Sequence, residues 1–223
     1  MNIGIVGSGH IGQTLGRLWA KAGHKIYFSF SHDQRKLEDL ASEVGNDSKA
    51  VTPYDAARCA EVVLFSVPWN CIDEAMKQVG RFEGQIVIDA TNPIIDEQMH
   101  LEQFDENDSS SESVARRLEG AKVIKAFNTL PYKTLWDRSG KGLVIFMAGD
   151  YEAMKTKVAQ LIEDAGFVPL DAGPLREGKK QEPGTERSFK ELTLDQAQEL
   201  TGITHGVRSI VDEVDLDQPV RRY

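Results

Sequence analysis

The sequence has 223 residues, 40% of them hydrophobic, and a formal net charge of −9. A chain of this size buries one sizeable core, and the excess of acid argues against nucleic acid and anionic membranes as partners. No apolar run approaches a membrane span, and Met1 leads directly into a strand rather than a signal peptide, so a cytoplasmic location is expected. Cys59 and Cys71 have no metal-ligand spacing and read as reduced thiols; no metal site is expected.

In chain order, Asn2 to Val6 read as an apolar strand. It runs into Gly7-Ser8-Gly9-His10-Ile11-Gly12, a G-x-G-x-x-G loop, and then a helix in which Ile11, Leu15, Leu18, Trp19 and Ala22 recur at helical spacing until Gly23. Strand, loop and helix in this order form a dinucleotide cradle. Gly7 permits the tight turn, Gly9 lets the backbone approach a pyrophosphate, and Gly12 lets helix and strand pack closely.

The second strand, Lys25 to Ser29, is followed by a helix presenting Leu37, Leu40, Ala41 and Val44 and ending at Gly45. A weak third strand near Ala50 leads to Thr52-Pro53-Tyr54-Asp55, where a capping residue precedes proline at the first helical position. Glu61 to Val67 and Gln85 to Ala90 are the next strands, separated by a helix with Ile72, Ala75, Met76 and Val79 on one face. Lys122 to Phe127 and Leu143 to Ala148 follow, then a helix capped by Asp150, and a last strand from Phe167 to Asp171. Strands this apolar are covered on both faces. The expected fold is α/β, a doubly wound, mainly parallel sheet of Rossmann type with helices on both faces.

Two stretches break the alternation. Glu102 to Glu112 are acidic and serine-rich and read as a surface loop, with an active-site flap as the alternative. After Pro174, Arg176 to Lys190 carry many charges and no run able to form a core. Residues 1–175 are therefore expected to form the nucleotide-binding domain, and 176–223 a polar extension or partner arm.

Nucleotide choice rests on Ser31-His32-Asp33-Gln34-Arg35-Lys36, at the end of the second strand. Cations in the first turn of a helix are disfavoured by the macrodipole by roughly a few tenths of a kcal/mol, and a bound 2′-phosphate would reverse this. NADP is preferred on this basis. NAD remains the alternative because of Asp33, and a capping box between Ser31 and Gln34, with solvated cations, would account for the segment structurally. Ser66-Val67-Pro68-Trp69, Asp89-Ala90-Thr91-Asn92-Pro93 and Lys125-Ala126-Phe127-Asn128-Thr129-Leu130 all follow strands, on the rim where an open α/β sheet keeps its ligands.

These three segments, with Ala148-Gly149-Asp150 and Leu170-Asp171-Ala172-Gly173-Pro174-Leu175, resemble the NADPH:coenzyme F420 oxidoreductase family and its bacterial relatives, and the cytosolic domain of the six-transmembrane metalloreductases. The resemblance spans Met1 to about Leu175. It implies hydride transfer between NADP and a deazaflavin (F420) or flavin, with a small-molecule acceptor and a homodimer among the expected partners. Carried over by position, it implies that Ser8, Gly9, His10 and Ile11 hold the pyrophosphate and that Ser31 and His32, helped by Arg35 or Lys36, hold the 2′-phosphate. Pro68, Trp69, Asn92 and Pro93 would lie along the path from adenosine to nicotinamide, and Asn128 near the reacting ring. His32 stands where relatives usually carry arginine, and the polar stretch from Arg176 to Gly184 stands where they carry an apolar helix.

Hydride transfer of this kind requires no catalytic side chain, because the cofactors do the chemistry. The alternatives are an NADP-binding sensor or partner protein without turnover and, last, a relative of 3-hydroxy-acid dehydrogenases or pyrroline-carboxylate reductases. The latter need a large helical second domain.

Overall fold

The computed structural model describes residues 1–31, 33–105 and 108–204. All eight expected strands form: β1 (Asn2–Val6), β2 (Lys25–Ser29), β3 (Lys49–Ala50), β4 (Val62–Phe65), β5 (Ile86–Asp89), β6 (Lys122–Ala126), β7 (Val144–Gly149) and β8 (Val168–Asp171). They make one sheet in the order β3-β2-β1-β4-β5-β6-β7-β8. Neighbours are parallel except β6 and β7, which are antiparallel. The chain winds outward from β1 in one direction to β3, then returns to lay β4 on its other side, with Ile3 beside Val62 and Val6 beside Phe65. That reversal opens a crevice above the carboxyl ends of β1 and β4, where doubly wound sheets bind ligands.

Alternating side chains supply a core on each face. On one face Ile5, Phe28, Leu64, Ile88 and Ile124 pack beneath α1 (His10–Lys21), α2 (Gln34–Val44) and α7 (Glu152–Asp164). On the other, Phe65, Val87 and Val123 pack beneath α3 (Pro53–Cys59), α4 (Ile72–Val79) and α5 (Ser110–Arg117). The Trp19 indole crosses the first core to donate to the Leu161 carbonyl at 2.7 Å, joining α1 to α7. Thr52 caps α3 as its sequence suggests, accepting from the Asp55 amide. Among the described residues no helix is long and apolar enough to cross a membrane.

Three expectations change. Asp150 does not cap α7, whose N-cap is Tyr151; its carboxylate accepts from the Leu175 amide at 2.9 Å instead. Asp33 rather than Ser31 caps α2, accepting from the Arg35 and Lys36 amides. Helix α6 (Tyr132–Asp137), in the connection that reverses the chain between β6 and β7, was not foreseen.

The polar stretch after Pro174 packs on the sheet. A 3₁₀ segment, Leu175–Gln181, crosses the face of β6 and β7 from the edge opposite the ligand rim to the rim itself. Leu175 joins the second core, and α8 (Leu194–Thr201) places Ala197 on Val144, Phe146 and Leu170. Charge-rich composition hid this element because much of what it buries is polar: Gln181 is fully buried, and Arg187 is 4% exposed. The part of the expected extension beyond residue 204 lies outside the described residues.

Candidate functional site

The glycine loop stands at the reversal point. Gly7 has φ +103°, and a β-carbon there would lie 2.6 Å from the Ser66 carbonyl carbon and oxygen, so β1 and β4 can approach only with glycine present. A β-carbon on Gly12 would meet the Gly7 carbonyl and, at 2.9 Å, the Ile5 side chain. Gly9 differs: nothing lies within 4 Å of where its β-carbon would be. It is also the N-cap of α1, and no side chain caps that helix. The first N–H groups of a twelve-residue helix thus face open space, the arrangement that receives a phosphate.

A cavity of about 520 Å³ opens there. Of the residues expected to bind cofactor, Gly7, Ser8, Gly9, His10, Ile11, Ser31, Ser66, Val67, Pro68 and Asn92 line it. Trp69, Ala90 and Thr91, from the two rim segments, also line it, whereas sequence reasoning did not assign Phe30, Cys71 or Ile94 to this wall. Pro93, Arg35, Lys36 and Asn128 do not line it, and His32 lies outside the described residues. Ser8 contributes backbone: its hydroxyl donates to the Ser29 carbonyl at 2.9 Å, tying the loop to β2. Phe30 follows β2 with φ 56°, a left-handed conformation costly for a bulky residue, which turns the chain along the crevice. A second cavity, lined by Phe30, Ser31, Gln34, Thr52 and Asp55 among others, continues past the end of β2.

The loops after β5 and β6 are held by a buried network. Lys125 and Asp89, both fully buried, pair at 3.0 Å, and the Lys125 ammonium also donates to the Thr91 carbonyl at 2.5 Å. The other Asp89 oxygen accepts from the Thr91 amide and hydroxyl. Through these four bonds the network fixes the Thr91-Asn92 turn against the crevice. Asn92 and Asn128 then lock together: Asn92 Nδ2 donates to the Asn128 carbonyl, and Asn128 Nδ2 to Asn92 Oδ1, each at 3.0 Å. Asn128 Nδ2 also donates to the Gln181 carbonyl at 2.8 Å, so the C-terminal segment reaches the rim.

The acidic stretch is a partial cover rather than a free loop. Trp69 donates its indole N–H to Glu102, and Phe104 meets Trp69 edge-on at 5.9 Å. Further along, Asp108 pairs with Arg116 at 2.6 Å, and that guanidinium holds the carboxyl below its usual range despite the opposing effect of burial. On the other side of His10, its imidazole stacks on Tyr132 with centroids 4.3 Å apart. This stack divides the crevice from a cavity of about 570 Å³ between α1 and α6, which shares with the crevice only His10.

Comparison with known proteins bears on this geometry. Residues 2–93, which carry the glycine loop, match the family model described as NADP oxidoreductase, coenzyme F420-dependent. The hypothetical protein SMa0349 of Sinorhizobium meliloti is 32% identical, with TM-score 0.77 over 86% of this chain and 95% of that one. An Arthrobacter protein provisionally described as an F420-dependent NADP-reductase superposes with TM-score 0.72 at 22% identity over 86% of this chain and 99% of that one. A reductive aminase of Aspergillus terreus, solved with NADPH and ethyl levulinate, shares the fold at 16% identity and TM-score 0.57, this chain covering 60% of it. With the crevice, the family match and a relative of nearly equal length, this chain belongs to the coenzyme F420-dependent NADP oxidoreductase-like family, whose members carry out nicotinamide-dependent oxidoreduction.

Proposed function

We propose that the protein transfers hydride between NADP(H) and a deazaflavin (F420) or flavin acceptor. The observation that carries the reading is the start of α1 facing open space at Gly9, a cradle with room for a pyrophosphate and no side-chain cap among the described residues. When bound, the nicotinamide supplies the hydride. The chain's own task is placement. The α1 amides hold the pyrophosphate, Ser31 and the first turn of α2 receive the 2′-phosphate, and Asn92, braced by Lys125 and Asp89, borders the nicotinamide end. For NADP, the side chains of Arg35 and Lys36 must reach from that first turn; Asp33, which occupies their amides, opposes a phosphate there.

A second reading, NADP binding without turnover, is favoured by one observation: Asn128 is engaged by the C-terminal segment, which covers the rim beside it. Mixing the protein with NADPH and, in turn, F420, FMN, FAD and ferric chelates separates the two. Loss of nicotinamide absorbance with F420 or a flavin supports hydride transfer; tight NADPH binding with no oxidation by any acceptor supports the sensor. His32→Ala should weaken NADPH far more than NADH, and equal losses would overturn the 2′-phosphate assignment.

A further inference from the structure

Five buried polar side chains gather where the segment after Leu175 meets the rim. Gln181 is fully buried, and neither its Oε1 nor its Nε2 has a hydrogen-bond partner among the described residues. Arg187, 4% exposed, leaves Nε and Nη1 in the same condition, as do Ser111 and Ser188 at Oγ and Asn128 at Oδ1. Seven of the nine such atoms in the described residues belong to this group, so they are not scattered packing defects.

Backbone contacts hold the five together. Asn128 donates to the Gln181 carbonyl, and the Phe189 amide donates to the Thr129 carbonyl at 2.8 Å, which brings Arg187 and Ser188 to the same loop. Ser111 lies against Gly178, one turn before Gln181: a β-carbon on Gly178 would be 2.8 Å from its hydroxyl. Phe146 supports the guanidinium, whose carbon is 5.2 Å from the ring centroid. Buried polar groups rarely go unpaired in native proteins, and each that does is costly. Here the set comprises a guanidinium, two amides and two hydroxyls: Arg187 Nε and Nη1, Gln181 Nε2 and the two hydroxyls can donate to an anion, and the Gln181 and Asn128 amide oxygens can accept from a protonated phosphate oxygen.

We propose that this cluster binds the phosphate group of the hydride acceptor, and that the segment from Leu175 to Phe189 is the lid that lifts to admit it. The proposal rests on the reading that an acceptor meets the nicotinamide at this rim. The lid has a latch: the Ser110 amide and hydroxyl, at the start of α5, donate to the Glu182 carboxylate at 2.8 and 2.6 Å. Burial lowers the affinity of the Arg187 guanidinium for its proton, while Glu177 and Glu186 restore part of it. An arginine retains its charge under such conditions.

FMN and riboflavin share a ring and differ in the phosphate, so they isolate the anion contact. Titrated into the full-length protein saturated with NADP⁺, with flavin fluorescence as the readout, FMN should bind at least about tenfold tighter than riboflavin, the range of a charge-assisted hydrogen bond. Inorganic phosphate should compete with FMN and not with riboflavin. Arg187→Met and Gln181→Leu should bring FMN to the riboflavin level, leave NADPH affinity unchanged, and hold or raise the melting temperature, because each replaces unpaired polar atoms with apolar ones. Arg187→Lys should keep part of the preference. Absence of an FMN preference in the wild type, or a preference that survives both apolar variants, overturns the proposal. So does a lowered melting temperature in both variants with FMN binding intact, which would mark these atoms as structural. Arg187-dependent FMN binding without NADPH oxidation by any acceptor would instead remove the hydride-transfer reading and leave the anion site standing.

Discussion

The sheet from β1 to β6 and the segment from Leu175 to Thr204 cover the same molecule by opposite means. The first is closed by apolar strands buried on both faces, and its fully buried ion pair, Lys125 with Asp89, is further bonded to Thr91 on both sides. The second covers β6 to β8 with charges, glycines and side chains whose polar atoms go unpaired. A scaffold that must hold a dinucleotide in one position gains from the first construction. A cover that must move gains from the second, because unpaired atoms lower the cost of opening it.

Removing one member of the buried pair should produce the largest effect. Lys125→Met leaves Asp89 charged and unpaired in the interior and should cost about 3–5 kcal/mol of unfolding free energy, measured by urea denaturation. A loss under about 1 kcal/mol would mean that the rim is as loosely built as the lid. Ala197→Asp makes the matching change on the other side, burying a carboxylate against Phe146 and Leu170. It should cost about 2–4 kcal/mol and raise hydrogen exchange in residues 192–204, while NADPH affinity stays within about twofold. Equal loosening of β1 and the glycine loop would show that the two regions unfold as one unit.

A smaller, pH-dependent effect concerns the join between α7 and β8. Burial alone would lower the pKa of Lys155, but its bonds to Asp171, at 2.6 Å, and to Glu152 more than reverse this and raise it. A raised folded-state value means that the stabilisation is fully present below the ordinary lysine value and is lost as pH climbs through the raised one. Urea midpoints should therefore fall at strongly alkaline pH, and Lys155→Met should flatten that decline. The smallest effect belongs to Asp33→Ser. Removing the carboxylate that caps α2 should favour NADPH over NADH by about 0.3–1 kcal/mol, read from paired titrations.

The same division decided what the sequence revealed. Ile5 and Val6, and Leu64 and Phe65, announce parallel strands because both faces must be apolar, and Gly7, Gly9 and Gly12 announce the turn because no other residue fits or leaves room. Their position just after strands, with the family resemblance, drew Trp69 and Asn92 to the crevice, where both lie. Asn128 follows β6 as expected, yet spends its amide on Asn92 and Gln181, a contact 53 residues away that no local pattern encodes. Helix α6 is six residues long and buries one of them, Leu135, too little for a periodic signal. The segment around Gln181 and Arg187 is invisible to hydrophobic patterning for a physical reason: its interior contacts are polar.

The central claim is that the open face of Gly9 receives the pyrophosphate of a nicotinamide dinucleotide. Nicotinamide fluorescence, titrated with NADPH into the wild type and Gly9→Val, tests it most directly. The added side chain meets no protein atom where its β-carbon would sit, so folding stability should fall by no more than about 1 kcal/mol, while it fills the space the phosphates need. The account predicts saturable wild-type binding and an affinity about a hundredfold weaker in the variant. Equal affinity in the two proteins would contradict it.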